Sequence, residues 1–380
     1  MTDFKSKFKD VLSVGIGNIS ASVISAVFWL YIAATLGTEK YGEISYLFAI
    51  ANIAYVVSLV GSGNTITVFT SKEKKIQSSI YAVAVSSGVI TSLAVFFIFN
   101  NGIISLYIFG SIIFAVATAE MLGRKLFQNY MKIMISQRMI MITLSITLYH
   151  IIGIQGIILG YAISFLPYSI IVFKGMKKES ISINKVKPKI NFMLHSYALN
   201  LSRRLSLSLD KLIILPLFSF TLLGNYQLGI QVLTIMTLIP TTIFQYLLSQ
   251  NASDHNNKKL KVLTIIFSII ITLLAIMLTP FVLPIFFEEF VEAIQITQII
   301  SLAVIPITIS AIYNSKFLTL EKSKFVFIGS IIFISTQIIG IYILSESIGI
   351  IGAGYALVIA SIFQAIYLTI TNRIILKNIL

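Results

Sequence analysis

The sequence predicts an all-α polytopic membrane protein of about twelve transmembrane helices, arranged as two six-helix pseudo-repeat lobes. Three observations carry that prediction. The 380 residues are 57% hydrophobic and only 11% charged, with a mean hydropathy of +0.94, whereas soluble domains carry about 25% charged residues. Polar or charged breaks divide the chain into twelve apolar segments long enough to span a bilayer. Short glycine-tyrosine motifs recur about half a chain apart.

Taken in order, the segments cover 11–36, 42–69, 76–99, 102–119, 136–152, 156–173, 191–218, 224–249, 261–287, 293–315, 325–345 and 350–372. Helix is the element expected in each, because backbone groups in lipid must be paired within the segment. The first follows a basic run, Met1–Asp10. Its apolar stretch is about 25 residues long and lacks a small-residue cleavage site, so it reads as a transmembrane helix and not as a signal peptide. The fifth and sixth are joined only by Gly153-Ile154-Gln155. A basic linker, 174–190, separates an N-terminal lobe, 1–173, from a C-terminal lobe, 191–380. Six prolines, Pro167, Pro216, Pro240, Pro280, Pro284 and Pro306, fall within or at the ends of spans. There they imply kinks or hinges.

The repeat is visible in the turns. Gly153-Ile-Gln-Gly156 is followed by Gly160-Tyr161-Ala162, and Gly349-Ile-Ile-Gly352 by Gly354-Tyr355-Ala356. Leu36-Gly37-Thr-Glu-Lys-Tyr41-Gly42 has a counterpart in Leu223-Gly224-Asn225-Tyr226. With six helices per lobe, both lobes enter from the same side and are related by an axis along the membrane normal. Such a pair encloses a cleft that can open to either side.

The net charge of +14 is distributed by topology. With both termini in the cytoplasm, 24 of the 28 basic residues, Arg138 among them, fall in cytoplasmic stretches, and the opposite loops hold only Lys40. The charge therefore reports orientation, and no nucleic-acid partner is expected. Cysteine is absent and the three histidines are scattered, so neither thiol chemistry nor a metal site is expected. The chain has no phosphate-binding glycine loop and no acid pair suited to glycosyl transfer. No cofactor is called for.

The remaining charge is concentrated in the seventh segment, which holds Arg203, Arg204, Asp210 and Lys211. Facing lipid, four charges would cost about 10–14 kcal/mol on insertion scales. They are tolerable only if they face water, each other or a charged ligand. On a helical wheel His195, Ser202, Arg203, Ser206 and Asp210 share one arc, and Tyr197, Asn200, Arg204, Ser208 and Lys211 another. Arg203 and Asp210 lie about 10.5 Å apart along the axis and cannot pair directly on a straight helix. Two readings stand for these residues: contact with a substrate, or bracing of neighbouring helices, with Lys211 snorkelling outward. Asn18, Ser22, Ser25 and Trp29 form a stripe on the first segment, and Gln227, Gln231 and Gln245 a stripe with two threonines on the eighth. These read either as polar ligand contacts or as packing glue, with Trp29 as a candidate interfacial anchor.

Thr35-Leu-Gly-Thr-Glu-Lys-Tyr-Gly42 resembles the L-G-x-x-x-Y-G turn of the polysaccharide-biosynthesis, Wzx-type flippases. Asp210-Lys-Leu-Ile-Ile-Leu, the later Leu223-Gly-Asn-Tyr226, and both Gly-Ile-x-Gly turns followed by Gly-Tyr-Ala resemble the same family. These flippases belong to the multidrug/oligosaccharidyl-lipid/polysaccharide exporter superfamily, and the resemblance covers almost the whole chain. It implies a V-shaped bundle with a cationic central cavity and translocation of a polyprenyl-linked oligosaccharide across the cytoplasmic membrane of a prokaryote. It further implies a monomer working beside glycosyltransferases. Arg203 and Arg204 match the cationic role by charge and depth, and Asp210 the recurrent acid of the seventh helix. The first helix lacks the arginine expected of a lipid II branch and the central carboxylate of some cation-coupled exporters. Two alternatives remain open: a cation-coupled drug or metabolite exporter, with Asp210 holding the ion, and a membrane-embedded glycan polymerase or ligase.

Overall fold

Helix dominates the backbone because it pairs every amide within the segment, as an apolar solvent requires. The computed structural model describes residues 2–72, 76–177, 179–243 and 258–377, and no strand occurs among them. The helices are α1 (Thr2–Leu59), α2 (Ser62–Ser71), α3 (Gln77–Phe99), α4 (Gly102–Gly123), α5 (Phe127–Ile152), α6 (Ile154–Ile163), α7 (Ser169–Met176), α8 (Ile183–Val186) and α9 (Ile190–Leu217). There follow α10 (Phe220–Met236), α11 (Lys258–Phe286), α12 (Ala293–Ser301), α13 (Val304–Thr319), α14 (Ser323–Ile348) and α15 (Ile351–Lys377).

Among the described residues, nine helical stretches are long and apolar enough to cross a membrane. The first, Ser13–Leu59, contains two expected segments, because Gly37 at φ 73° and ψ 178° breaks α1 into two arms. The charged α9, 28 residues long, and α10, whose helical residues resume through 238–243, fall on the other two expected segments and are not among the nine. Three further expected segments are interrupted. Segment 42–69 breaks at Val60 and Gly61, both at positive φ. Segment 156–173 breaks around a short 3₁₀ turn at Leu166–Tyr168 that contains Pro167. Segment 293–315 breaks between α12 and α13, where Pro306 in the first turn of α13 cannot donate a backbone hydrogen bond.

The chain forms two compact units, one of residues 1–25 and 47–204, the other of 26–46 and 205–380. In the first, α2, α3, α5 and α6 pack on α4 or on each other around fully buried Ile80, Ile108, Ile112, Val116, Met141 and Ile157. The Gly-Ile-x-Gly turn now has a physical basis. Gly153 sits at φ 69°, a conformation that glycine adopts without steric cost, and a Cβ on Gly156 would collide with the Leu148 carbonyl. The hairpin α5–α6 closes only on bare backbone. Its repeat follows the same rule, with Gly349 at φ 65° and Gly352 against Leu344.

Buried polar groups pin the linker end of this unit. Glu120 Oε1 accepts a 2.7 Å bond from Arg124 Nε, and Arg124 also donates to Gln77 Oε1 at 3.1 Å. Ser78 Oγ donates to the Gly175 carbonyl at 3.1 Å, and Ser79 Oγ accepts from the Ser182 amide at 2.9 Å.

In the second unit, the two copies of the leucine-glycine-tyrosine motif meet. A Cβ on Gly42 would strike the Phe220 carbonyl, and one on Gly224 the Thr38 carbonyl, so α1 and α10 cross at backbone contact. Tyr41 and Tyr226 are both fully buried beside that crossing, Tyr41 edge-on to Phe290 at 6.0 Å. Around it, Ile214, Leu223, Ile296, Ile300, Val304, Ile341 and Ala356 form the main core.

Candidate functional site

The geometry of α9 decides which charges are available to a ligand. Its first half is seated in the first unit by contacts that tolerate no side chain: a Cβ on Gly61 would collide with the Met193 carbonyl. Phe192 meets Phe69 edge-on at 5.5 Å, and the Lys189 ammonium lies 5.2 Å from the Phe69 ring. Arg203 and Arg204 follow at the midpoint of the helix, and both are exposed. Neither pairs with a carboxylate among the described residues. The Arg204 guanidinium lies 5.9 Å from the centre of the Tyr55 ring, an attraction that holds the side chain without neutralising it.

A third guanidinium belongs to this unit. Arg138 is eleven residues into α5, roughly 16 Å along the axis. Counted from sequence among the cytoplasmic basic residues, Arg138 lies within the helical stretch Phe127–Ile152, which is long and apolar enough to cross a membrane. Arg138 donates from Nη1 to the Tyr161 hydroxyl, and its buried Nε has no partner among the described residues. Tyr161 in turn packs edge-on to Tyr107 at 5.2 Å, against Phe48 at 5.6 Å, and stacks on Phe165 at 5.3 Å. Tyr107 lies within electrostatic reach of both Arg138 and Arg204. The unit therefore places two arginines beside an aromatic cluster whose Phe48, Tyr107 and Phe165 are buried, so the guanidiniums and the half-buried Tyr161 are the groups an anionic ligand would meet. In the second repeat Tyr355, the counterpart of Tyr161, is 41% exposed.

Asp210 and Lys211, two turns beyond Arg203 in the second unit, behave differently. The Lys211 ammonium does not snorkel outward. It lies 3.1 Å from Asp210 Oδ1, with the two side chains 8% and 3% exposed, and donates to the Leu207 carbonyl at 3.1 Å. Tyr226 donates to Asp210 Oδ2 at 2.9 Å. The carboxylate is thus consumed by an internal network, as expected of paired buried charges.

The first-segment stripe separates likewise. Asn18 Oδ1 accepts a 2.7 Å bond from the Tyr130 hydroxyl, Ser22 is exposed, and the buried Ser25 Oγ has no partner among the described residues. Trp29 meets Phe28 edge-on at 5.3 Å. On α10, Gln231 Nε2 donates to the Ala26 carbonyl at 3.4 Å, while Gln227 keeps a buried Oε1 without a partner among the described residues. Gln245 lies outside the described residues.

Comparison with known proteins places the fold. No family model and no curated protein matches the chain. Among solved structures, the lipid II flippase MurJ in an inward closed conformation superposes with a TM-score of 0.78 at 16% identity, over 94% of this chain and 87% of that one. An inward-facing multidrug resistance MATE family transporter of the MOP superfamily gives 0.73 at 13%, over 97% and 98%. A mutant of the Vibrio cholerae MATE transporter VcmN gives 0.68 at 12%, over 100% and 99%. At these identities the likeness defines the architecture alone: the chain is an all-α polytopic membrane protein that shares the fold of these structures.

Proposed function

We propose that the protein is a flippase that moves a polyprenyl-(pyro)phosphate-linked oligosaccharide across the cytoplasmic membrane by alternating access. The observation that carries this reading is the pair of exposed guanidiniums at the midpoint of α9, without acid partners among the described residues. Charge at membrane depth marks a ligand route when it is not internally compensated. Arg203 and Arg204 would neutralise the phosphate-bearing head, and Arg138 with Tyr161 would flank the adjoining sugar. The covalent halves 1–173 and 191–380 would serve as the two lobes, with the linker 174–190 in the cytoplasm.

The membrane potential suits such a cargo. A head with about two negative charges gains up to roughly 4–5 kcal/mol on moving outward across 100 mV. The cation-coupled alternative needs a free carboxylate to hold the ion, and Asp210 is already engaged by Lys211 and Tyr226. The protein would act as a monomer on glycolipids made by glycosyltransferases.

The test is glycan export in a deletion strain complemented with variants. Arg203→Ala with Arg204→Ala should abolish surface glycan while the protein still reaches the membrane. Full export by that variant would remove this reading. Efflux of cationic dyes that depends on an imposed proton or sodium gradient would favour the exporter.

A further inference from the structure

The second unit contains a groove that the transport reading does not use. It encloses about 580 Å³ between α13 and α15 and is walled by Leu302, Ile305, Ile309, Ile362, Ile366 and Ile370, with Arg373 at one end. Ligand clefts run from about 300 to 1,000 Å³, so the space is large enough for a ligand. The interruption between α12 and α13 helps to form it: Pro306 lines the groove, and Leu302, in the break, is 40% exposed.

Among the residues that line the groove, Arg373 is the charged one. Arg373 is exposed and has no hydrogen-bond or ion-pair partner among the described residues. Lys316, at the same end of α13, donates to Asn372 Oδ1 at 2.7 Å, and Lys261 at the start of α11 is close enough to act on it electrostatically. An apolar slot ended by a guanidinium without a partner among the described residues, with the Lys316 ammonium bonded to the adjacent Asn372, is complementary to an apolar chain bearing an anion.

We propose that this groove holds one acyl chain of an anionic phospholipid, whose phosphate rests on Arg373. The neighbouring ammonium groups make a zwitterionic headgroup the poorer fit, because its cation would face them. The site is independent of the guanidiniums of α9 and would be occupied by a resident lipid whether or not the protein transports anything.

Native mass spectrometry of the full-length protein, titrated with dioleoyl-phosphatidylglycerol or dioleoyl-phosphatidylcholine, tests it. One phosphatidylglycerol should be retained about fivefold more tightly than phosphatidylcholine. Arg373→Gln, a change at an exposed position, should erase that preference, and Ile366→Trp should fill the groove and expel the lipid. Equal retention of the two lipids, or an unchanged preference in Arg373→Gln, would overturn the proposal. Undiminished phosphatidylglycerol retention in a folded Ile366→Trp protein would overturn it too, by showing a headgroup held outside the groove.

Discussion

The four charges of α9 divide into two exposed arginines and one buried pair, and that division makes each side testable. Removing one member of a buried pair leaves the other uncompensated, at a cost of about 3–5 kcal/mol. Asp210→Asn should therefore lower the melting temperature of the purified protein sharply. Asp210→Leu combined with Lys211→Met should restore most of it, since both charges leave together. A single variant as stable as wild type would show that the Asp210–Lys211 pair does not brace the helix. The exposed arginines should behave oppositely, with Arg204→Ala costing under about 0.5 kcal/mol of stability.

The depth of Arg203 and Arg204 is legible from sequence, because a charge in mid-segment has no topological explanation. Arg138 falls near the start of its expected segment, 136–152, where an arginine reads as an orientation signal, and its place eleven residues into α5 follows only from the start of that helix at Phe127. The link between Arg138 and Tyr161 joins residues 23 apart, a pairing that the fold creates.

At the scale of elements, glycine is the controlling residue. Gly153 adopts φ 69° with nothing near its would-be Cβ, so Gly153→Ala isolates backbone strain and should destabilise by about 1–2 kcal/mol. Gly224→Ala must instead push α10 off the Thr38 carbonyl, and overpacking of this kind costs about 1–3 kcal/mol or more. Gly15, helical and with open space beside it, is the control: Gly15→Ala should be neutral or stabilising by about 0.5–1 kcal/mol. Thermal unfolding in detergent would rank the three, and a Gly224→Ala protein as stable as Gly15→Ala would refute the close crossing. Both repeated motifs are visible as strings, but their reason is not. The spacing of Gly37, Tyr41 and Gly42 gives no hint that their partner is the second copy of the motif. The break at Val60–Gly61 is equally hidden, since hydropathy runs through it undisturbed.

For the whole molecule, hydropathy suffices for the class, because an apolar solvent leaves the backbone so few options. The chain's compact units are less accessible to sequence reasoning: the middle of α1 packs with residues 205–380, and no compositional shift marks the residues where the chain crosses over. On the proposed function, a charged head crosses on arginines and the potential drives it. The direct measurement is flipping of a fluorescent polyprenyl-pyrophosphate oligosaccharide in proteoliposomes under an imposed potential, for wild type and for Arg203→Ala with Arg204→Ala. Flipping that rises with a potential negative on the side the lipid leaves, and falls to the protein-free background in the folded double variant, is the predicted result. Equal flipping by both proteins, or by wild-type and empty vesicles, would contradict it.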